Sequence, residues 1–248
     1  PIAWLLVRTT IPFKNFLLTC VALVMVIPPF VKSMGWVLML NERIGIINRI
    51  VVSLFPIDSF PVSMNNVWGI AWVMGLTLMP TTFFLIAGPM RQMDPALEES
   101  ARVMGASKLR TTLTVTLPLV MPGVLGAMLF VFAEMLGSFA AALVLGIPGR
   151  IYVITTAIWD STLAYPPDYG RASAMGLALF VVMFGMLTFY RRVINRGSFA
   201  TITGKAFRPR PMEMGRLAWV LFSVCALYVA LAVVFPIAAL LMTSLQRF

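Results

Sequence analysis

Five long apolar runs divide the chain, at about residues 15–40, 67–90, 122–147, 172–190 and 217–244, and the polar positions gather between them. None of the runs alternates with the period of two that marks a half-buried strand, and all exceed ordinary strand length. At ~1.5 Å rise per residue, the second run reaches ~36 Å, enough to cross a ~30 Å hydrocarbon core with some tilt. Backbone groups in lipid must be satisfied within their own segment, which leaves helices. The pattern predicts an all-α fold, a polytopic transmembrane helical bundle with five spans. The first run is irregular. Pro28-Pro29 interrupts it, so a bend or break is expected there. Lys32, just beyond, is expected to snorkel towards an interface. Gly35-Trp36-Val37-Leu38 then lie either in the bundle or along the membrane surface.

Composition sharpens this picture. Of 248 residues, 60% are hydrophobic and 11% charged, with a mean hydropathy of +0.94. A soluble domain is nearer ~45–50% apolar and ~25% charged, so a soluble enzyme is excluded. The net charge of +10 suggests nucleic acid only where a water-soluble body carries a basic face. Here the basic residues sit between spans, and no nucleic-acid partner is expected. Alternate connections carry thirteen Lys and Arg on one side and four on the other. By the positive-inside rule the heavy side is cytoplasmic, which puts the N-terminus inside and the last residue outside.

Seven of those basic residues fall in 191–216, where Gly197, Gly204, Pro209 and Pro211 read as a cytoplasmic linker facing anionic membrane lipid. Cys20 and Cys225 lie in apolar runs and the chain has no histidine, so neither a disulfide framework nor a metal site is expected. The eighteen Met residues read as packing between helices. The chain starts at Pro1 without an initiator Met, and Gln246-Arg247-Phe248 follow an apolar run with no closing domain. It is therefore expected to be an internal piece of a longer polypeptide.

The connection between the second and third runs has the chemistry of a helix pair. Asp94-Pro95 supplies an N-cap and a proline at the first helical position. Glu98 and Glu99 follow where the helix dipole favours negative charge, and Glu98 can pair with Arg102 at i,i+4. Leu97, Ala101 and Met104 are expected to form one narrow apolar face. Gly105 offers a left-handed stop, and Ser107 can cap a second short helix running to Leu117-Pro118. The resulting ridge, flanked by carboxylates, suits a groove on a partner protein.

The stretch Glu99-Ser100-Ala101, three residues, Gly105, nine residues, Val115-Thr116-Leu117-Pro118 resembles the EAA loop of ABC-importer permeases, whose pattern is E-A-A, x3, G, x9, I-x-L-P. Ser100 and Val115 depart from it by small changes. The rest of residues 1–190 is similar to the membrane domain of type I importers, in particular the fused permeases of iron(III)-type systems. The features that carry this likeness are Arg8-Thr9-Thr10, Pro28-Pro29, Gly35-Trp36, the Gly45 to Asn48 segment and Leu145-Gly146-Ile147-Pro148-Gly149.

The resemblance implies a permease domain over 1–190 in a bacterial inner membrane, with its coupling loop at 91–121 docked on a separate ABC ATPase dimer. Glu99 would meet a basic residue of that ATPase and Ala101 would pack in its groove. Gly105 would permit the turn, and Leu117-Pro118 would start the rise into the membrane. ATP would be bound by the partner, since the chain has no GxxxxGK[ST] and needs no cofactor of its own. A periplasmic solute-binding protein would deliver the solute, iron(III) or else a polyamine, thiamine or phosphonate. Residues 217–248 would begin a second permease half fused in the same polypeptide.

Inside the membrane, Glu134 costs ~2–3 kcal/mol on insertion scales and is expected to face the bundle or water. Ser138, at i+4, would share its face. Two readings stand: a lining of the translocation path, or a Glu that holds helices together. Gly123, Gly126 and Gly137, with Ala172, Ala174, Gly176 and Ala178, read as close helix packing. Tyr165-Pro166-Pro167-Asp168-Tyr169, in an outer connection, fits an aromatic belt and also a surface that a binding protein could touch. A different class, an integral-membrane lipid-modifying enzyme, needs an acid, base or nucleophile gathered near an interface, and no catalytic residue is expected here. A channel would need a filter or charged ring and leaves the loop motif unexplained.

Overall fold

The computed structural model describes residues 9–42, 45–55, 62–196 and 214–246, together with Ala3 and Leu6. Every regular element among the described residues is helical. In chain order these are α1 (Lys14–Val26), α2 (Pro29–Met39), α3 (Ile46–Leu54), α4 (Val67–Gln92), α5 (Pro95–Val103), α6 (Lys108–Thr111), α7 (Leu117–Gly137), α8 (Ile154–Leu163), α9 (Tyr169–Arg196), α10 (Leu217–Val229) and α11 (Phe235–Ser244). Three π turns, Thr112–Thr116, Ala142–Gly146 and Ala230–Val234, interrupt or join them. Four stretches among the described residues are long and apolar enough to cross a membrane: Val67–Arg91, Leu109–Gly137, Tyr169–Arg192 and Leu217–Ser244. A fifth crossing is available if α1 and α2, bent by 96°, count as one span. Four of the five expected spans are thus continuous helices, and the first apolar run is a bent helix pair, either a broken span or a re-entrant loop.

The break has a local cause. Pro28 has no N–H, so the Val24 carbonyl four residues earlier loses its helical donor. Lys32 reaches back and its Nζ donates to that carbonyl at 2.7 Å. The side chain is 1% exposed. The expected snorkelling therefore does not occur, because an orphaned carbonyl at a helix C-terminus attracts the ammonium more strongly than the interface does.

The third apolar run is also displaced from its expected bounds. Hydropathy placed it at 122–147, whereas the continuous helix is Leu109–Gly137. The second short helix expected after Ser107 does not stop at Leu117-Pro118. It continues through a π turn into α7. The two connections at 41–66 and 148–171 contain the helices α3 and α8, whose short sequences gave no periodic signal. Arg191 to Arg196 extend α9 rather than opening a linker, and positions 197–213 of the expected linker lie outside the described residues.

The chain divides into two compact units, and both draw on the long helices. Unit 1 comprises residues 1–18, 80–133 and 183–225; unit 2 comprises 19–79, 134–182 and 226–248. In unit 1, a Cβ on Gly123 would lie 2.8 Å from the Pro89 ring, so α4 and α7 touch where glycine removes the side chain.

Unit 2 is built on a cluster of Trp36, Ile70, Val73, Met74, Ala141 and Leu145. Trp36 meets Trp72 edge-on at 5.6 Å, and the Tyr228 hydroxyl donates to the Leu76 carbonyl at 2.9 Å. Asn48 Nδ2 donates to the carbonyls of Asn41 and Val62, at 2.8 and 2.9 Å, and so ties α3 to the chain on either side.

Within unit 2, α2 crosses α11 at Gly35, where a Cβ would stand 2.5 Å from both the Cα and the carbonyl oxygen of Pro236. Backbone cannot yield as a flexible side chain can. Gly35→Ala is expected to destabilise the protein by about 1–3 kcal/mol. Gly75→Ala, with nothing within 4 Å of the added carbon, should be neutral or slightly stabilising. Thermal unfolding of the detergent-solubilised protein compares the two, and equal midpoints would show that the crossing is not tight.

Candidate functional site

The loop between α4 and α7, within unit 1, is assembled by capping chemistry. Asp94 Oδ1 accepts the Ala96 N–H at 2.9 Å, which places Asp94 at the N-cap and Pro95 at the first position of α5. The helix ends at Gly105, where φ is +84°. The Ala106 N–H donates to the Ala101 carbonyl at 3.0 Å, the six-to-one bond of a Schellman turn. Nothing would lie within 4 Å of a Cβ on Gly105, so the glycine answers to its dihedral angle and not to crowding. Ser107 Oγ then accepts the Arg110 N–H at 3.3 Å and caps α6.

This closure sorts the side chains in a way the sequence pattern did not. Ala101 is buried, three residues after the buried Glu98 and so on the same face of α5, the face fastened to the π turn through Thr116. Leu97 and Met104 remain outside, so the single face expected from Leu97, Ala101 and Met104 is divided. Val103 and Met104, 88% and 81% exposed, form the prominent apolar corner, and Leu109 and Leu113 stand exposed beyond it. Val103 and Leu109 were not singled out from sequence, although an apolar pair directly before a helix-ending glycine was there to be read.

The two glutamates separate as well. Glu99 and Ser100 are exposed, and the Ser100 hydroxyl donates to the Leu97 carbonyl at 3.0 Å. Glu98 is buried, and its Oε1 accepts the Thr116 hydroxyl at 2.7 Å. The i,i+4 partner expected for Glu98, Arg102, has a side chain outside the described residues. The Glu98–Thr116 bond fastens α5 to the π turn from which α7 rises. Leu117 and Pro118 follow directly, exposed, inside the continuous helix. No local signal marks Thr116, since its partner is eighteen residues away.

The second candidate site lies in unit 2. Glu134 is exposed on α7, so it is not enclosed between helices. Ser138 lies one residue beyond the end of α7 at Gly137. The Ser138 N–H donates to the Met135 carbonyl at 3.3 Å, and its own carbonyl accepts the Thr155 hydroxyl at 2.7 Å. The structure therefore leaves Glu134 available to a path or a neighbouring chain, and assigns Ser138 to the joint that leads to α8.

Comparison with known proteins fits this arrangement. A family model described as the binding-protein-dependent transport system inner membrane component matches residues 2–198, which contain the whole loop. The chain is 31% identical over 191 residues, 74% of its length, to the ferric transport system permease protein FbpB of Actinobacillus pleuropneumoniae, of which it covers 26%. It is 34% identical over 189 residues, 75% of its length, to the molybdenum transport system permease protein ModB of Escherichia coli strain K12, of which it covers 79%. Among solved structures it is similar in fold to a chain of a bacterial ABC transporter involved in the import of the acidic polysaccharide alginate. There the TM-score is 0.61 at 20% identity, covering 75% of this chain and 67% of that one. The chain spans about a third or less of the length of the ferric relatives that it matches.

Proposed function

Because the chain belongs to the family of binding-protein-dependent transport system inner membrane components, we propose that it is the membrane-spanning part of an ATP-driven importer that moves iron(III) from periplasm to cytoplasm. ATP is bound and hydrolysed by a separate ATPase dimer, and a periplasmic binding protein delivers the solute. The observation that carries this reading is the loop itself: a capped helix, closed at Gly105, that presents Val103 and Met104 beside the exposed Glu99. Glu99 pairs with a basic group of the ATPase and the apolar corner enters its groove. Closure of the ATPase displaces α5. The Glu98–Thr116 bond carries that displacement into α7, and the spans tilt as rigid bodies. Glu134 faces the path. The 13-to-4 bias of Lys and Arg supports a cytoplasmic loop, a cytoplasmic N-terminus and a periplasmic C-terminus. Residues 217–248 are the first span of a second permease half in the same polypeptide.

A molybdenum oxyanion is the second reading, favoured by a molybdenum permease relative of which the chain covers 79%. Uptake of radiolabelled iron(III) and molybdate by cells expressing the full-length protein with its ATPase and binding protein separates the two.

Coupling is tested by cysteine cross-linking in that complex, with Cys20 and Cys225 replaced. The exposed Met104 is the position to label, since Ala101 is buried, and Asp160, in α8, is the control. An ATP-sensitive link from Met104→Cys and none from Asp160→Cys is the expected result. No link from Met104, Val103 or Leu109 to any ATPase would overturn the importer reading.

A further inference from the structure

Unit 1 contains an apolar groove of about 370 Å³ between α4, α7 and α9, lined by Leu85, Pro122, Gly126, Phe130, Leu187 and Tyr190. Its shape follows from glycine. A Cβ at Gly126 would lie 3.0 Å from the Tyr190 hydroxyl, so the tyrosine ring can lie against α7, and the space along Gly126 stays unfilled. The wall is mostly apolar side chain, with the Met183 and Met186 thioethers among it and the Tyr190 hydroxyl at one end. The groove opens along α9, most of whose apolar side chains are exposed in this part of the polypeptide.

Beyond Tyr190 the character of α9 changes abruptly. Arg191 and Arg192 are both exposed. Arg191 is four residues after Leu187, so it continues the same helix face one turn further on. An apolar trough that ends, within one turn, at a hydroxyl and the Arg191 guanidinium is complementary to an amphiphile with a long hydrocarbon tail and an anionic head.

We propose that this groove is a binding site for an anionic phospholipid, with an acyl chain against Gly126, Phe130 and Leu187 and the phosphate held by Arg191 beside the Tyr190 hydroxyl. Guanidinium groups suit phosphate because their donors are arranged as a planar fork. The tail makes the site more than a general attraction of basic residues to a charged surface. The inference rests on the membrane reading alone and is independent of the solute and of the ATPase.

Native mass spectrometry of the full-length protein, released from bilayers containing equal phosphatidylglycerol and phosphatidylcholine, tests it. Wild type should retain phosphatidylglycerol in preference. Arg191→Gln should reduce that preference about fivefold, whereas Arg192→Gln, on the opposite face of α9, should leave it largely unchanged. Leu187→Trp, which fills the groove from an exposed position, should reduce retention of both lipids. Equal retention of the two lipids by wild type overturns the proposal, as does a preference unchanged by Arg191→Gln. Protection of Leu187→Cys from a membrane-permeant thiol reagent in the full-length protein, with no lipid retained, would overturn it in favour of another helix of the polypeptide packed over the groove. Solute uptake enters none of these readouts, so the site can fail while the importer reading stands.

Discussion

Val103→Asp combined with Met104→Asp is expected to reduce solute uptake to the level of cells that lack the ATPase, with the amount of protein in the membrane unchanged. Both side chains project from the last turn of α5, almost fully exposed, so neither change disturbs the interior. In the assembled importer both would be desolvated. Truncating a central apolar anchor typically costs ~2–4 kcal/mol of binding, and an unpaired carboxylate left in a dry groove costs more. Two such changes weaken docking by well over a hundredfold. The measurement is uptake together with co-purification of the ATPase. Undiminished uptake with the ATPase still attached would remove Val103 and Met104 from the interface.

The second large effect concerns transmission and not docking. Thr116→Val removes the donor to Glu98 and leaves a buried carboxylate oxygen without its 2.7 Å partner, a loss of about 1–3 kcal/mol. Glu98→Gln weakens the same bond by removing its charge. We expect each variant to retain ATP hydrolysis in the complex while transporting several-fold less solute per ATP. The double variant should be little worse than either single one, because groups that act as one link are non-additive. Thr116→Ser restores the hydroxyl and should restore the ratio. Fully additive losses, or a serine variant as defective as valine, would show that the bond does not carry the motion.

What could be read from sequence was local. Asp94, Pro95, Gly105 and Ser107 each act on backbone groups within five residues, so residue type and spacing define their roles, and the structure places all four where the spacing puts them. The apolar runs were legible for the same kind of reason, since a span must be continuous hydrocarbon whatever surrounds it.

The misreadings arose where a side chain answers to something distant or hidden. Lys32 was assigned to the interface because its charge was visible and the orphaned Val24 carbonyl was not. Ala101 reads as part of an exposed face because helical spacing ignores the π turn at Thr112–Thr116, against which the Glu98 face is held. Thr116 carried no signal, because hydropathy treats it as one polar residue near the start of a span. The helical joint at Ser138 was hidden because the apolar run continues past the point where the helix ends.

All three π turns end two residues before a proline: Pro118, Pro148 and Pro236. In each case the residue between donates to the carbonyl five positions back, as Leu117 does to Thr112 and Phe235 does to Ala230. Widening the helix there moves the carbonyls that the proline ring would strike.

For the turn at Thr112–Thr116 this has a geometric consequence. A π turn holds one residue more than the α turn it replaces, and one residue corresponds to about 100° of helical phase. The azimuth at which Leu109 and Leu113 leave the α7 axis is therefore set by a single supernumerary residue, while the height of the loop above Pro122 barely changes. Losing that residue would swing the ridge by more than a quarter turn without shortening its reach. In such a chain the direction in which the loop points and the distance to which it extends are separately adjustable.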